Sequence, residues 1–428
     1  MKKATKFSEI QDATFYNMAI DNEHPFYTDF SNLRKNFSEK KLYRMLNIQD
    51  NNECQPLSSF VKIFLRGHRG TGKTSELLSL QKKIKNTGCY FVVFSDLSDG
   101  SLDINNIEFV DVMLLLLEKF MNELENSGAT VSSDILEPFY DWFNERITEV
   151  NSTIDASATI GVELEGGVSI PFFSKLLAKT TAKLGSSSQT KESIRNVFKP
   201  RVSDFLLKFN ELTLFIKKEF MKLNKYDDIL FILDGFEKIG HLDNRKKVII
   251  DDANLFNRIE ANMIITLPIE LFEHTHTLTN FAKVISFPLI SLEKEESKIK
   301  LKEFILRRVD ESLFDHNDVL DKIIVYGAGS PRETLRLIQQ AYIEAENELI
   351  DLESVEKAIV SMGNQMARYL EDKEISVLKQ ILNKNDVPFD DTVANLLVEK
   401  ILLEYEKDNP CINPLVKENK KLQRMLSA

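Results

Sequence analysis

Five short apolar runs stand out along the chain, at residues 61–65, 90–96, 229–235, 262–268 and 284–290. Their β-branched, aromatic and leucine side chains fall on consecutive positions rather than alternate ones. That is the pattern of strands buried on both faces, as in a parallel sheet covered by helices above and below. Between the runs, apolar residues recur at helical spacing. They predict a helix opening at Glu76, helices over 110–120 and 138–149, and a long one over 191–223 with a kink at Pro200. Two more are predicted over 244–258 and 293–308. Strands alternating with helices predict an α/β fold.

Other stretches break the pattern. Residues 1–60 combine a Pro25-Phe26-Tyr27 turn with further aromatics before a helix near 39–46, a leader that could fold over a base or pack on the outside of the sheet. In 150–190, residues 159–170 alternate around Gly166-Gly167, a hairpin signal, and Gly185-Ser186-Ser187-Ser188 follows. This reads as a mobile insertion, either a partner contact or a surface loop. Beyond 308, the turn Gly327-Ala328-Gly329-Ser330 launches a helix carrying Arg332 in its first turn. An arginine there opposes the helix dipole and calls for an anion, whether a bound phosphate, Glu333 or a partner. The final sixty residues give short helices and a strand pair around a polar break at 407–410, which suggests a winged helix. The expected domains are a leader (1–60), a P-loop core (61–292), a helical lid (293–365) and a winged-helix module (366–428).

The first run leads into Gly67-His68-Arg69-Gly70-Thr71-Gly72-Lys73-Thr74-Ser75. Strand, glycine-rich turn and helix come in the order of a phosphate-binding loop, with Gly67, four spacers, then Gly72-Lys73-Thr74. The glycines let successive N–H groups turn inward at phosphate oxygens, and the helix N-terminus adds partial positive charge. Lys73 can reach the β- and γ-phosphates, and the Thr74 hydroxyl can ligate Mg²⁺. The third run ends in Asp234, which puts a carboxylate at the carboxyl edge of a strand, where open α/β sheets bind ligands; it is the candidate Mg²⁺ partner. Glu237 could orient or deprotonate the attacking water, or simply open a helix. Thr266, near the end of the fourth run, could sense the γ-phosphate or be a plain strand-end hydroxyl.

Composition narrows the setting. No stretch approaches eighteen consecutive apolar residues, and the basic first residues lack an apolar core, so neither a membrane span nor a secretion signal is expected and the location reads as cytoplasmic. Cys54, Cys89 and Cys411 read as reduced thiols. A net charge of -11 argues against a protein that coats nucleic acid, leaving Lys417, Lys420, Lys421 and Arg424 as a local basic patch at most.

These motifs together resemble the ATPases of the AAA+ and STAND lineages. Residues 67–74 look like Walker A, Asp234-Gly235-Phe236-Glu237 like a Walker B of the NACHT branch, Thr266 like sensor 1 and Arg332 like sensor 2. The lid and winged helix look more like the origin-recognition ATPases. The resemblance implies a three-layer P-loop fold, ATP and Mg²⁺ as cofactors, an ATP-driven switch with Lys73, Glu237, Thr266 and Arg332 in catalytic roles, and a protein partner or self-assembly. A bacterial antiviral or stress-signalling setting is implied in the same way, with a duplex-DNA-binding ATPase and a nucleotide-bound scaffold as alternatives. No arginine lies between Thr266 and Val284, where many AAA+ proteins place a finger, so Arg195, Arg201 and Arg258 stand as substitutes.

Overall fold

The computed structural model describes residues 2–427 except Asn36, Asn52, Pro56, Ser58, 162–167, Ser187, Asn385, Asp386, Lys407 and Asp408. The five apolar runs form β1 (Lys62–Arg66), β2 (Tyr90–Asp96), β3 (Asp228–Asp234), β4 (Asn262–Leu267) and β5 (Lys283–Ser286) of one parallel sheet, in the order β2-β3-β4-β1-β5. Successive side chains serve opposite faces. Phe64, Phe91, Val93 and Phe231 enter one core, whereas Ile63, Leu65, Val92 and Ile232 enter another beneath the helix that follows β1. Burial on both sides explains the continuous apolar runs. The register sets Asp96 beside Asp234 and Leu65 beside Thr266, so the carboxyl ends of these strands gather along one edge.

Helices of eight residues or more are numbered. α1 (Lys73–Thr87) leaves the loop after β1 and packs on the second face through Leu77, Leu80 and Ile84. The other face is covered by α2 (Phe109–Asn126), α3 (Ser133–Asn151), α4 (Ile170–Ser186), α5 (Ser188–Phe198) and α6 (Val202–Lys222). The expected hairpin falls on 162–167, outside the described residues. The stretch after it is no loose insertion, because Phe173, Leu176, Leu177 and Leu184 of α4 are buried against α2. The gain from burying that face outweighs the weak helix propensity of Gly185-Ser186. The predicted long helix is interrupted by a 3-10 turn, Lys199–Arg201, centred on Pro200. The predicted 244–258 helix is two short pieces, Leu242–Lys246 and Ala253–Asn257, joined by a π turn at Lys247–Asp251.

α7 (Glu295–Leu306), α8 (Asn317–Tyr326), α9 (Pro331–Glu344) and α10 (Leu352–Met366) share a separate core. Ile10, Ala13, Phe30 and Leu33 of the leader enter that core, while Phe37, Leu42 and Leu46 pack beneath α1. The chain ends in α11 (Asp372–Leu382), α12 (Asp391–Val398), the antiparallel pair β6 (Leu402–Glu404) and β7 (Pro410–Ile412), and α13 (Lys420–Ser427). The architecture is thus a P-loop α/β sandwich followed by a helical lid and a small winged-helix unit.

The cysteines depart from expectation. Cys54 and Cys89 form a disulfide with Cα atoms 5.5 Å apart, tying the leader to the residue before β2, while Cys411 is free. Spacing along the chain carries no trace of a pairing made by the fold. Among the described residues no helix is long and apolar enough to cross a membrane.

Candidate nucleotide site

The glycines of the loop after β1 serve different ends. A Cβ on Gly67 would lie 2.3 Å from the Phe287 carbonyl oxygen, so the loop approaches the strand β5 exit too closely for any side chain. Gly70 and Gly72 take left-handed φ values of +91° and +94°, which turn the backbone into α1. Lys73 Nζ donates to the Gly67 and His68 carbonyls at 2.9 and 2.8 Å and lies 3.5 Å from Glu237 Oε1. The Thr71 hydroxyl donates to the His68 carbonyl.

Asp234 ends β3 fully buried, with neither carboxylate oxygen in a hydrogen bond. Burial, and then the charge of Glu237, push its carboxyl up, while the nearby Thr74 hydroxyl pulls the other way without meeting hydrogen-bond geometry. Glu237 goes in the opposite direction: burial works against its charge, but Lys73 holds it below the usual carboxylate range. Its Oε2 has no hydrogen-bond partner. Two buried carboxylates shifted in opposite directions can divide their chemistry, one staying ionised while the other more readily takes up a proton. Gly235, between them, has φ +96°, and a Cβ there would meet Asp96 Oδ1 at 2.6 Å. The close approach of the β2 edge therefore requires glycine there.

A cavity of about 540 Å³ opens over the loop. Gly70, Lys73, Thr74, Glu237, Arg69 and Arg332 all line it. Arg332 sits in the first turn of α9, where its backbone N–H and the Ser330 hydroxyl both reach the Gly70 carbonyl, at 3.4 and 3.2 Å. Glu333 does not serve as its partner, being paired with Lys400 and Arg336. The leader closes the cavity through residues 15–20 and 26–28. Thr266 is buried in β4 with its hydroxyl unpartnered, and neither it nor Asp234 is among the residues that line the cavity. Among the described residues no three His, Cys, Asp or Glu side chains form a metal cage, so Thr74 and Asp234 could hold a cation only with further oxygens from water or a ligand.

The three substitute arginines are elsewhere. Arg195 is buried in an ion pair with Asp111, Arg201 pairs with Glu149, and Arg258 donates to Ser203. His68, expected in the phosphate cradle, turns its imidazole away into the winged-helix unit. Its Nε2 accepts from the Glu404 N–H at 3.0 Å, which leaves the proton on Nδ1, 3.1 Å from the Leu397 carbonyl. Two residues earlier, Arg66 makes a buried ion pair with Glu404. Neither contact has a motif that sequence could reveal.

Burial first, and then the charges of Lys400, Lys73 and Arg66, push the His68 imidazole down to about 3. An unfolded histidine titrates near 6.5, so the unfolded chain takes up a proton that the folded chain refuses. This share of stability is whole above about pH 6.5 and is lost as pH falls toward 3. Between pH 7 and 5 the loss from His68 alone should be about 2 kcal/mol, at ~1.4 kcal/mol per unit. Denaturant unfolding of wild type and His68→Gln over this range should show wild type losing that much more. Parallel curves would mean the imidazole is charged in the fold.

No protein-family model matches the chain, and neither does any curated protein. Among solved structures it is similar to the Orc1 protein of Aeropyrum pernix in complex with DNA, at 10% identity and TM-score 0.34 over 94% of this chain and 95% of that one. It is also similar to Cdc6p of Pyrobaculum aerophilum, at 12% identity and TM-score 0.37 over 96% and 99%. A mutant of Thermotoga maritima RuvB matches at 15% identity and TM-score 0.25 over 44% and 69%. Likenesses this loose carry no functional argument.

Proposed function

We propose that the chain is an AAA+/STAND-like ATPase that binds ATP with Mg²⁺ over the loop after β1, hydrolyses it slowly and acts as a molecular switch. The observation that carries this reading is the convergence on one cavity of a glycine-formed loop, Lys73, an ionised Glu237 and Arg332. The residues fit the cofactor pair: Asp234 offers two unsatisfied oxygens near Thr74, the loop offers main-chain amides, and the cavity volume suits a nucleotide. Bound ATP and its metal supply the phosphoryl group and the charge that polarises it.

The chain's own residues divide the remaining work. Thr74 and Asp234 would hold the cation, Lys73 would counter phosphate charge, and Glu237, with Oε2 free of any hydrogen bond, would accept the proton of the attacking water. Arg69 and Arg332 supply guanidinium charge from within the chain, in place of a finger from a neighbour. Arg332 rides on the lid, so phosphate charge biases the lid toward the loop.

The winged helix is coupled through a different route, since His68 and Arg66 grip Glu404 while Lys400 grips Glu333 at the start of α9. Loop, lid and winged helix therefore meet at one junction, and a ligand that moves the loop must work against all three contacts. We read the domains as a leader, core, lid and winged helix, and the location as cytoplasmic. Antiviral or stress signalling is the setting its resemblance suggests. An equilibrium titration with ATP and ADP, together with the solution mass with and without ATP, tests the switch; a mass that ignores nucleotide would remove assembly as its output.

The DNA-binding reading finds less support. α12, which leads into the wing, packs on Ile269–His274, and its exposed residues Asp391, Asn395 and Val398 carry no positive charge. A helix reading DNA needs cations for phosphates and base edges. Duplex DNA at low salt is expected to leave the protein's mobility unchanged; a salt-dependent shift would restore the rival.

A further inference from the structure

Arg34 lies in the leader, outside every motif, yet it is only 6% exposed. The chain on either side is anchored: Phe30 and Leu33 in the lid core, and Phe37 edge-on against Phe287 with ring centres 4.6 Å apart. The guanidinium lies 4.1 Å over the Phe287 ring. Its Nη1 donates to the Pro288 carbonyl and its Nη2 to the Thr71 carbonyl, each at 2.6 Å. One planar fork thus joins the exit of β5 to the phosphate loop, a geometry lysine cannot copy.

We propose that Arg34 is a positioning residue for the nucleotide: by holding the Thr71 carbonyl it fixes the Thr71–Gly72 peptide so that the Gly72 N–H faces the bound polyphosphate. In a planar trans peptide the C=O and the following N–H point in opposite directions, so anchoring the oxygen aims the hydrogen. Gly72 lines the cavity, and its left-handed φ lets the chain accept that orientation. The leader thereby pre-forms part of the anion cradle before ligand arrives, which lowers the ordering cost of binding.

The inference rests on the nucleotide reading above, and the test separates the two. Wild type, Arg34→Met and Arg34→Lys are titrated with ADP and with ATP, with folding checked by circular dichroism and Tm. Arg34→Met should weaken both nucleotides by a similar factor, on the order of tenfold, because the aimed amide serves phosphates common to both. Turnover at saturating ATP should change less than KM. Arg34→Lys, which keeps the charge but reaches a single carbonyl, should fall between. Should Arg34→Met not fold, Arg34→Lys decides alone. Wild-type affinity in the folded variants, or a loss confined to ATP, overturns the positioning role. Failure of wild type itself to bind either nucleotide overturns the nucleotide reading beneath it.

Discussion

Glu237→Gln should bind ATP within about threefold of wild type and lose turnover by ~10²- to 10⁴-fold, the range for removal of a positioned base. Lys73→Ala should instead lose affinity for ATP and ADP by ~10- to 150-fold, the equivalent of one hydrogen bond to a charged group. The contrast follows from the geometry. Glu237 is 8% exposed at its side chain and keeps one oxygen without a partner, while Lys73 stands 3.5 Å from the other. Glutamine preserves the shape and removes the basicity. Removing Lys73 takes away both a phosphate contact and the charge that keeps Glu237 ionised. Because that carboxyl is held low, Glu237 stays ionised across the neutral range, so a fall in turnover on mild acidification should come from protonation of the raised Asp234 carboxyl and not from loss of the base. Normal hydrolysis by Glu237→Gln would remove it as the base, and normal binding by Lys73→Ala would remove the loop as the cradle.

The parts of this site legible in the sequence are those whose chemistry is local. β1, the glycine turn and α1 follow from a buried run, left-handed positions and an amphipathic helix lying within about two dozen residues of each other. Asp234 and Glu237 can be found because a strand-end carboxylate has a fixed relation to its own strand. Arg332 can be found because a cation in the first turn of a helix is out of place. Arg34 is invisible: its partners lie 37 and 254 residues away, and the leader around it has no period to read. His68 misleads for the opposite reason, since spacing places its backbone in the cradle but cannot show its ring bonded 336 residues ahead to Glu404. Local composition misdescribes the 170–190 region, where tertiary burial of Phe173 and Leu184 decides.

Glu404→Gln is expected to destabilise the protein by ~3–5 kcal/mol, because it removes the carboxylate charge paired with Arg66 at the end of β1, whose side chain is 1% exposed. Replacing both partners by apolar residues of similar volume, as in Arg66→Met with Glu404→Leu, should cost far less or nothing, since it removes the desolvated charges together. The two variants thus separate stability from coupling. In the double variant the protein stays folded, but β6 loses its ionic hold on the strand that feeds the phosphate loop, while polar contacts such as His68 to the Glu404 N–H, Leu289 N–H to the Glu404 carbonyl, Tyr405 to the Ala328 carbonyl and Lys400 to Glu333 remain. If the winged helix senses the nucleotide through this junction, the double variant should cleave faster by limited proteolysis between α10 and α11, and the protection that ATP gives wild type there should shrink. A double variant as unstable as Glu404→Gln would mean the pair is held for packing. Unchanged proteolysis with unchanged ATP protection would move the coupling to Arg332 and the lid alone.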